Sequence, residues 1–169
     1  MQKSCAKVGK TVLKVVIDTN VILPMLYSPK SIKVSASRKI YDLLISDQID
    51  AYWCDIFSGE TIRIANTDEK LRKAKPSYFN SRLVELLNHL NNVRMDDVNE
   101  FKTTLNWDPR NSYKINENDI YLAVLAGITK SRYIITSDNN FIDAYNDTFP
   151  GRNAYACPPS KFISIEKFF

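Results

Sequence analysis

The strongest pattern of apolar positions lies near the start of the chain, where Val12, Leu13, Val15, Val16 and Ile17 form a nearly continuous, mostly β-branched run closed by Asp18. A run without polar alternation predicts a strand covered on both faces, as in a parallel sheet between helices. Residues 21–27 are expected to begin a helix in which Pro24 is acceptable only within the first turn. A loop over 28–31 follows. Ala36, Ile40, Leu43 and Leu44 then recur at helical spacing, predicting an amphipathic helix from Ser35 to about Ser46. Residues 50–54 read as a second strand. Asp55 is placed to cap a helix that carries Ile56, Phe57, Glu60 and Ile64 on one face, which puts a carboxylate on an apolar stripe.

The charged stretch 67–76 reads as a loop or hinge. From Ser77, the residues Phe79, Leu83, Leu86, Leu87 and Leu90 define the clearest amphipathic helix, with Arg82, Glu85 and His89 on its opposite side. A short strand is expected at 93–95, and 96–114 is polar and irregular. Asn116, Glu117, Asn118 and Asp119 introduce a helix over 120–128, with asparagine available as its cap. Its small residues Ala123, Ala126 and Gly127 predict close approach to the sheet. A strand at 133–136, a turn at 137–140, a helix over 141–145, a last strand at 154–157 and a final amphipathic segment complete the pattern. Strands alternating with helices predict an α/β fold with a mostly parallel sheet.

Composition narrows this picture little. With 169 residues, 44% of them hydrophobic, the chain suits one compact domain over 1–169, in which residues 1–11 read as a flexible basic arm. The net charge of +4 permits an anionic partner without demanding one. Basic residues cluster at Lys3, Lys7, Lys10 and Lys14, at Lys30, Lys33, Arg38 and Lys39, and from Arg63 through Lys70, Arg72, Lys73 and Lys75 to Arg82. Each cluster alone is an ordinary solvated face; three together are suggestive of an anionic partner. Cys5, Cys54 and Cys157 show neither disulfide nor zinc spacing, so they are read as reduced. Lys14 interrupts the first apolar run, which excludes a proper signal sequence. No stretch reaches transmembrane length, and a cytoplasmic protein with no membrane partner is the expectation.

The candidate chemistry is carboxylate chemistry. Asp18 and Asp138 each follow a predicted strand, and right-handed crossovers would set those strand ends on one rim. Asp119, at the head of the helix leading into the later strand, can reach the same rim, and Glu60 needs only a helix packed across it. Taken singly, Asp18 is equally a helix cap and Asp138 equally an Asx turn. Gathered in one cleft, these acids would repel one another, a conflict that a hard divalent cation removes. His89 is the only histidine, so neither a histidine base nor a histidine metal cage is available.

The motifs Val15-Val16-Ile17-Asp18-Thr19-Asn20-Val21, Glu60 on an early helix, Asn118-Asp119-Ile120-Tyr121-Leu122-Ala123 and Ile134-Ile135-Thr136-Ser137-Asp138 together resemble those of the PIN domain family. The resemblance spans nearly the whole chain and is nearest to bacterial PIN toxins of toxin–antitoxin pairs. It implies a three-layer α/β/α nuclease fold and cleavage of RNA by water activated on one or two Mg2+ or Mn2+ ions, leaving 5′-phosphate and 3′-hydroxyl ends. It also implies a cognate antitoxin as partner and allows a homodimer. By the resemblance Asp18, Glu60, Asp119 and Asp138 are the catalytic acids, Asp18, Asp119 and Asp138 the metal ligands, and Asn20, Thr136 and Asn140 their supports. Many members carry a further acid after the one matching Asp138; here Asn139 and Asn140 occupy that stretch, which bears on a second metal. Arg63, Arg72, Lys73 and Lys75 are the candidate RNA-backbone contacts. Tyr52, Trp53, Tyr78 and Trp107 are candidates for base stacking, with core packing as the alternative. Two other readings remain open: a PIN-like binding module with weak or no catalysis, and a phosphotransfer domain. The second lacks its acidic pair or Asp-x-Asp at Asp18-Thr19-Asn20.

Overall fold

The structure is a computed structural model that describes residues 12–27, 35–67, 76–104, 115, 119–148 and 154–166. The basic arm at 1–11, the loop at 28–31, Cys5, Arg72, Lys73, Lys75 and Trp107 lie outside them. The five strands among the described residues are β1 (Leu13–Ile17), β2 (Ile49–Cys54), β3 (Leu90–Val93), β4 (Tyr133–Ile135) and β5 (Tyr155–Cys157). They form one wholly parallel sheet in the order β3-β2-β1-β4-β5. The register sets Val16 beside Tyr52 on one flank and Ile134 on the other. Val15, Val16 and Ile17 are fully buried, as expected of a strand covered on both faces, whereas Val12 is 37% exposed and lies outside the strand.

The helices among the described residues are α1 (Thr19–Tyr27), α2 (Ala36–Ile45), α3 (Asp55–Thr67), α4 (Pro76–His89), α5 (Met95–Thr104), α6 (Ile120–Thr129), α7 (Asn139–Thr148) and α8 (Pro159–Glu166). From β1 the chain steps outward to β2 and β3, then returns past β1 to β4 and β5. Right-handed crossovers therefore put the helices of the two halves on opposite faces, giving the three-layer α/β/α arrangement. On one face α2 packs against α1, α4 and α8; on the other α6 lies over β1, β2 and β4 with α5 across its back. The chain reverses direction between β1 and β4, the switch point at which open α/β sheets form a crevice beyond the strand ends.

Several local expectations are corrected. Helix α1 begins at Thr19, so Pro24 stands in its second turn. Its ring is exposed, and the helix forgoes one hydrogen bond there. The predicted strand at 93–95 is displaced: Leu90 already pairs with Ala51, and Met95 opens a helix. Leu87 is 38% exposed beside the exposed Val84, while Leu86 is buried, so the core stripe of α4 is narrower than its leucines imply. Part of the expected irregular stretch is α5, whose Val98 is fully buried and whose acids Asp96 and Asp97 sit favourably in the first turn. Helix α5 also revises the role of Gly127. A Cβ there would stand 2.6 Å from Cε1 of Phe101, so Gly127 admits the α5 ring rather than the sheet. Cys54 and Cys157 are free and buried, and no described helix is long and apolar enough to cross a membrane.

Candidate active site

A cleft of about 430 Å³ opens at the switch point, and Asp18, Glu60, Asp119 and Asp138 all line it. Four chain segments deliver them: the end of β1, the middle of α3, the head of α6 and the turn between β4 and α7. Asp18 extends the sheet by one further bond, its N–H donating to the Ile135 carbonyl at 3.0 Å. Its carbonyl then accepts from Val21 and Ile22, starting α1.

The Asp18 carboxylate is held mainly through one oxygen. Oδ2 accepts from the Thr136 hydroxyl at 2.6 Å and the Asn20 amide at 2.7 Å. Thr136, fully buried, in turn accepts from the Asn20 amide and the Asp138 N–H, both at 3.1 Å. The Asn20 carbonyl oxygen accepts from the Ser137 N–H at 2.9 Å, tying α1 to the β4 turn. Oδ1 of Asp18 lies 3.5 Å from the Asn20 N–H, a weak contact that leaves it acceptor capacity. Asp138 is divided in a similar way. Its Oδ1 caps α7 by accepting from the N–H groups of Asn140 (2.9 Å) and Phe141 (3.2 Å), so it makes the Asx contact and also faces the cleft. The Asp119 side chain makes no cap hydrogen bond to its own helix.

Burial pushes the Asp18 carboxyl above its ordinary range; the Thr136 bond opposes the shift and the charge of Glu60 adds to it. Asp119 is raised to about 6 by burial, then by the charges of Asp18, Asp138 and Glu60. The acids are thus close enough to feel one another. Among the described residues no three Asp, Glu, His or Cys side chains form a ready-made metal cage. The donor set still fits magnesium or manganese: it is all oxygen, its negative charges are in conflict, and magnesium commonly takes one or two carboxylates with waters and substrate phosphates.

The structure therefore brings together Asp18, Asn20, Thr136, Asp138, Asp119, Glu60 and Arg63. Asn140 meets the site through its backbone N–H, and Asn139 and Asn140 are exposed at the head of α7 without lining the cleft. Trp53 is a core residue and Tyr52 packs under the Lys14 ammonium, so neither offers a stacking platform in the cleft. Arg82 and Arg38 both lie over the Tyr41 ring, and His89 bonds to Asp47. Sequence reasoning missed the apolar wall of Leu23, Ile56, Phe57 and Ile64, as well as Gly59. It also missed Thr19, which lines the cleft while its buried hydroxyl lacks any hydrogen-bond partner among the described residues. The recurrence of Ile56, Glu60 and Ile64 was the available signal for the wall.

A parallel switch-point sheet with an acidic cleft at its rim defines an α/β/α class, and the PIN domain model matches residues 15–147. The chain belongs to the PIN domain family, whose members are typically nucleases. No curated protein matches the chain significantly. Among solved structures it is similar to VapBC2 from Rickettsia felis bound to a DNA fragment from its promoter, with 15% identity, a TM-score of 0.56, and coverage of 86% of this chain and 98% of that one. DNA-bound VapBC from Salmonella typhimurium gives 15% identity and a TM-score of 0.55, covering 88% and 99%. FitAcB from Neisseria gonorrhoeae gives 16% identity and a TM-score of 0.53, covering 86% and 98%. At these identities the likeness is one of fold.

Proposed function

We propose that this protein is a metal-dependent endoribonuclease, acting as the toxin of a toxin–antitoxin pair in the cytoplasm. The observation that carries the reading is the convergence of Asp18, Glu60, Asp119 and Asp138 on one cleft, with Asp18 and Asp119 held above their ordinary pKa by burial and by neighbouring acids. Nature seldom keeps such a conflict without a use for it, and a cation site is the use that fits oxygen donors.

In this reading Asp18, Asp119 and Asp138 hold one or two Mg2+ or Mn2+ ions, and Glu60 completes the site from α3. When bound, the cation neutralises the phosphate and lowers the pKa of the attacking water. Thr136 and Asn20 fix the rotamer of Asp18 by engaging Oδ2, which leaves Oδ1 for the ligand. The N-terminus of α7 fixes Asp138 through Oδ1 in the same manner. Water adds to phosphorus, the bond to the 3′ oxygen breaks, and the products carry 5′-phosphate and 3′-hydroxyl ends. No side-chain nucleophile takes part. Arg63 supplies positive charge at the cleft for the RNA backbone. The likeness of fold to VapBC and FitAcB supports a cognate antitoxin protein as partner.

The test is cleavage of a structured RNA in Mn2+ by wild type and Asp18→Asn, with chelator controls and end-group analysis. Wild type should cut and leave 5′-phosphates while the variant, equally folded, does not. Equal cutting by both proteins removes the assignment. The head of α7 favours one alternative, because Asn139 and Asn140 stand where many PIN domains place a further acid. A binding module with weak or no catalysis would cut nothing yet retain a protein or RNA partner.

A further inference from the structure

We propose that the wall between α1 and α3 is a nucleotide subsite beside the acids, in which Leu23, Ile56 and Ile64 receive a base, Gly59 sets the space available to it, and Arg63 positions the adjoining phosphate. This inference takes its substrate class from the nuclease reading.

The strongest indication is Gly59. It occupies the interior of a thirteen-residue helix, where glycine costs roughly 1 kcal/mol relative to alanine. Helix α3 gains nothing in packing for that cost, because a Cβ built at Gly59 meets no described atom within 4 Å. Gly127 differs, since there the ring of Phe101 fills the space. Gly59 is exposed and lines the acid cleft one residue before Glu60, so what its missing side chain leaves open is the approach to the acids.

The surroundings define what approaches. Ile56, Gly59, Glu60, Arg63 and Ile64 follow one stripe of α3 at spacings of three and four residues, and all of them line the cleft. Ile56 and Ile64 are only half-buried, and Leu23 faces the same space from α1. One stripe thus offers aliphatic surface, an open backbone, a carboxylate and a guanidinium in succession. A nucleotide carries the complement: a flat base with apolar faces, a sugar, and a phosphate that a guanidinium fork grips. The Thr19 hydroxyl, 2% exposed and without a partner among the described residues, stands one turn before Leu23 on the same wall.

The test reads the methyl resonances of Leu23, Ile56 and Ile64 in the full-length protein during titration with adenosine 5′-monophosphate and, separately, ribose 5-phosphate. Adenosine monophosphate should shift these methyls and bind about tenfold or more tightly than ribose 5-phosphate, the loss expected when an apolar pocket loses its occupant. Gly59→Leu should remove that preference and Arg63→Gln should weaken both ligands about tenfold. Ile62→Gln, at an exposed position of the same helix outside the cleft, serves as the folding control. Equal binding of the two ligands, silent methyls, or a preference unchanged in Gly59→Leu overturns the subsite. An RNA cleavage assay on the same samples separates the two claims. Cutting with silent methyls leaves the nuclease and removes the subsite; shifted methyls with no cutting leave the subsite and remove the nuclease.

Discussion

Replacing Asp119 by asparagine should make the metal-free protein more stable at neutral pH. The Asp119 carboxyl is raised from 3.8 to about 6 by burial and by Asp18, Asp138 and Glu60. The folded chain therefore binds this proton more tightly than the unfolded chain. Stabilisation by protonation is complete below about pH 4 and is lost as the pH rises through about 6. At pH 7.5 the ionised carboxylate stands in a site that disfavours it. A shift of about two units corresponds to roughly 3 kcal/mol, and because Asp119 is half-exposed, solvent screening reduces this to about 1–2 kcal/mol. Asparagine keeps the shape of the protonated acid and removes the charge. For a chain of this size the change corresponds to a rise in Tm of about 2–6 °C. Differential scanning calorimetry of both proteins in chelator at pH 7.5 and pH 4.5 provides the assay. The variant should melt higher at pH 7.5, and the gap should narrow at pH 4.5, where the wild-type acid is itself protonated. A variant that melts at or below wild type at pH 7.5, or a gap indifferent to pH, would refute the electrostatic account of the cleft.

Three further outcomes follow from individual hydrogen bonds and from backbone geometry. Thr136→Val removes the donor to Asp18 and the acceptor of the Asp138 N–H at a fully buried position, and should cost about 2 kcal/mol in urea unfolding, with Thr136→Ser close to wild type. Asn146 binds both the N–H (3.1 Å) and the carbonyl (3.0 Å) of Ala156 on the edge strand β5, so Asn146→Ala should lower stability by about 1–2 kcal/mol and increase aggregation measured by light scattering. Lys130 ends α6 in the left-handed region at φ 54°, and Lys130→Gly should raise stability by about 1 kcal/mol, read as a higher urea midpoint.

The parallel sheet was legible because its central strands β1 and β4 are short and apolar, and because an acid follows each, Asp18 directly after β1 and Asp138 in the turn after β4. Those same features predict that Asp18 and Asp138 share one rim of the sheet, and both line the cleft there. Helix α5 was not legible, because its buried stripe rests on Met95, Val98 and Phe101 alone within a polar segment. The clue lay elsewhere: α6 is apolar on nearly every face, from Ile120 through Thr129, and such a helix must be covered on both sides. Pattern reading likewise counted Leu87 toward the core, since hydrophobicity records what a residue tolerates and not which side of α4 meets a neighbour. The division of Asp18 into a tethered oxygen and a freer one depends on Thr136, 118 positions away, and only the fold brings that hydroxyl within reach.

The central claim is that the four carboxylates act as one divalent-cation site, and calorimetric titration of Mn2+ into wild type and Asp18→Asn at pH 7.5 tests it most directly. Wild type should show saturable binding that Asp18→Asn abolishes or weakens by an order of magnitude or more, with the fold of both confirmed by their melting. Absence of saturable binding in wild type, or identical isotherms for the two proteins, would contradict the claim.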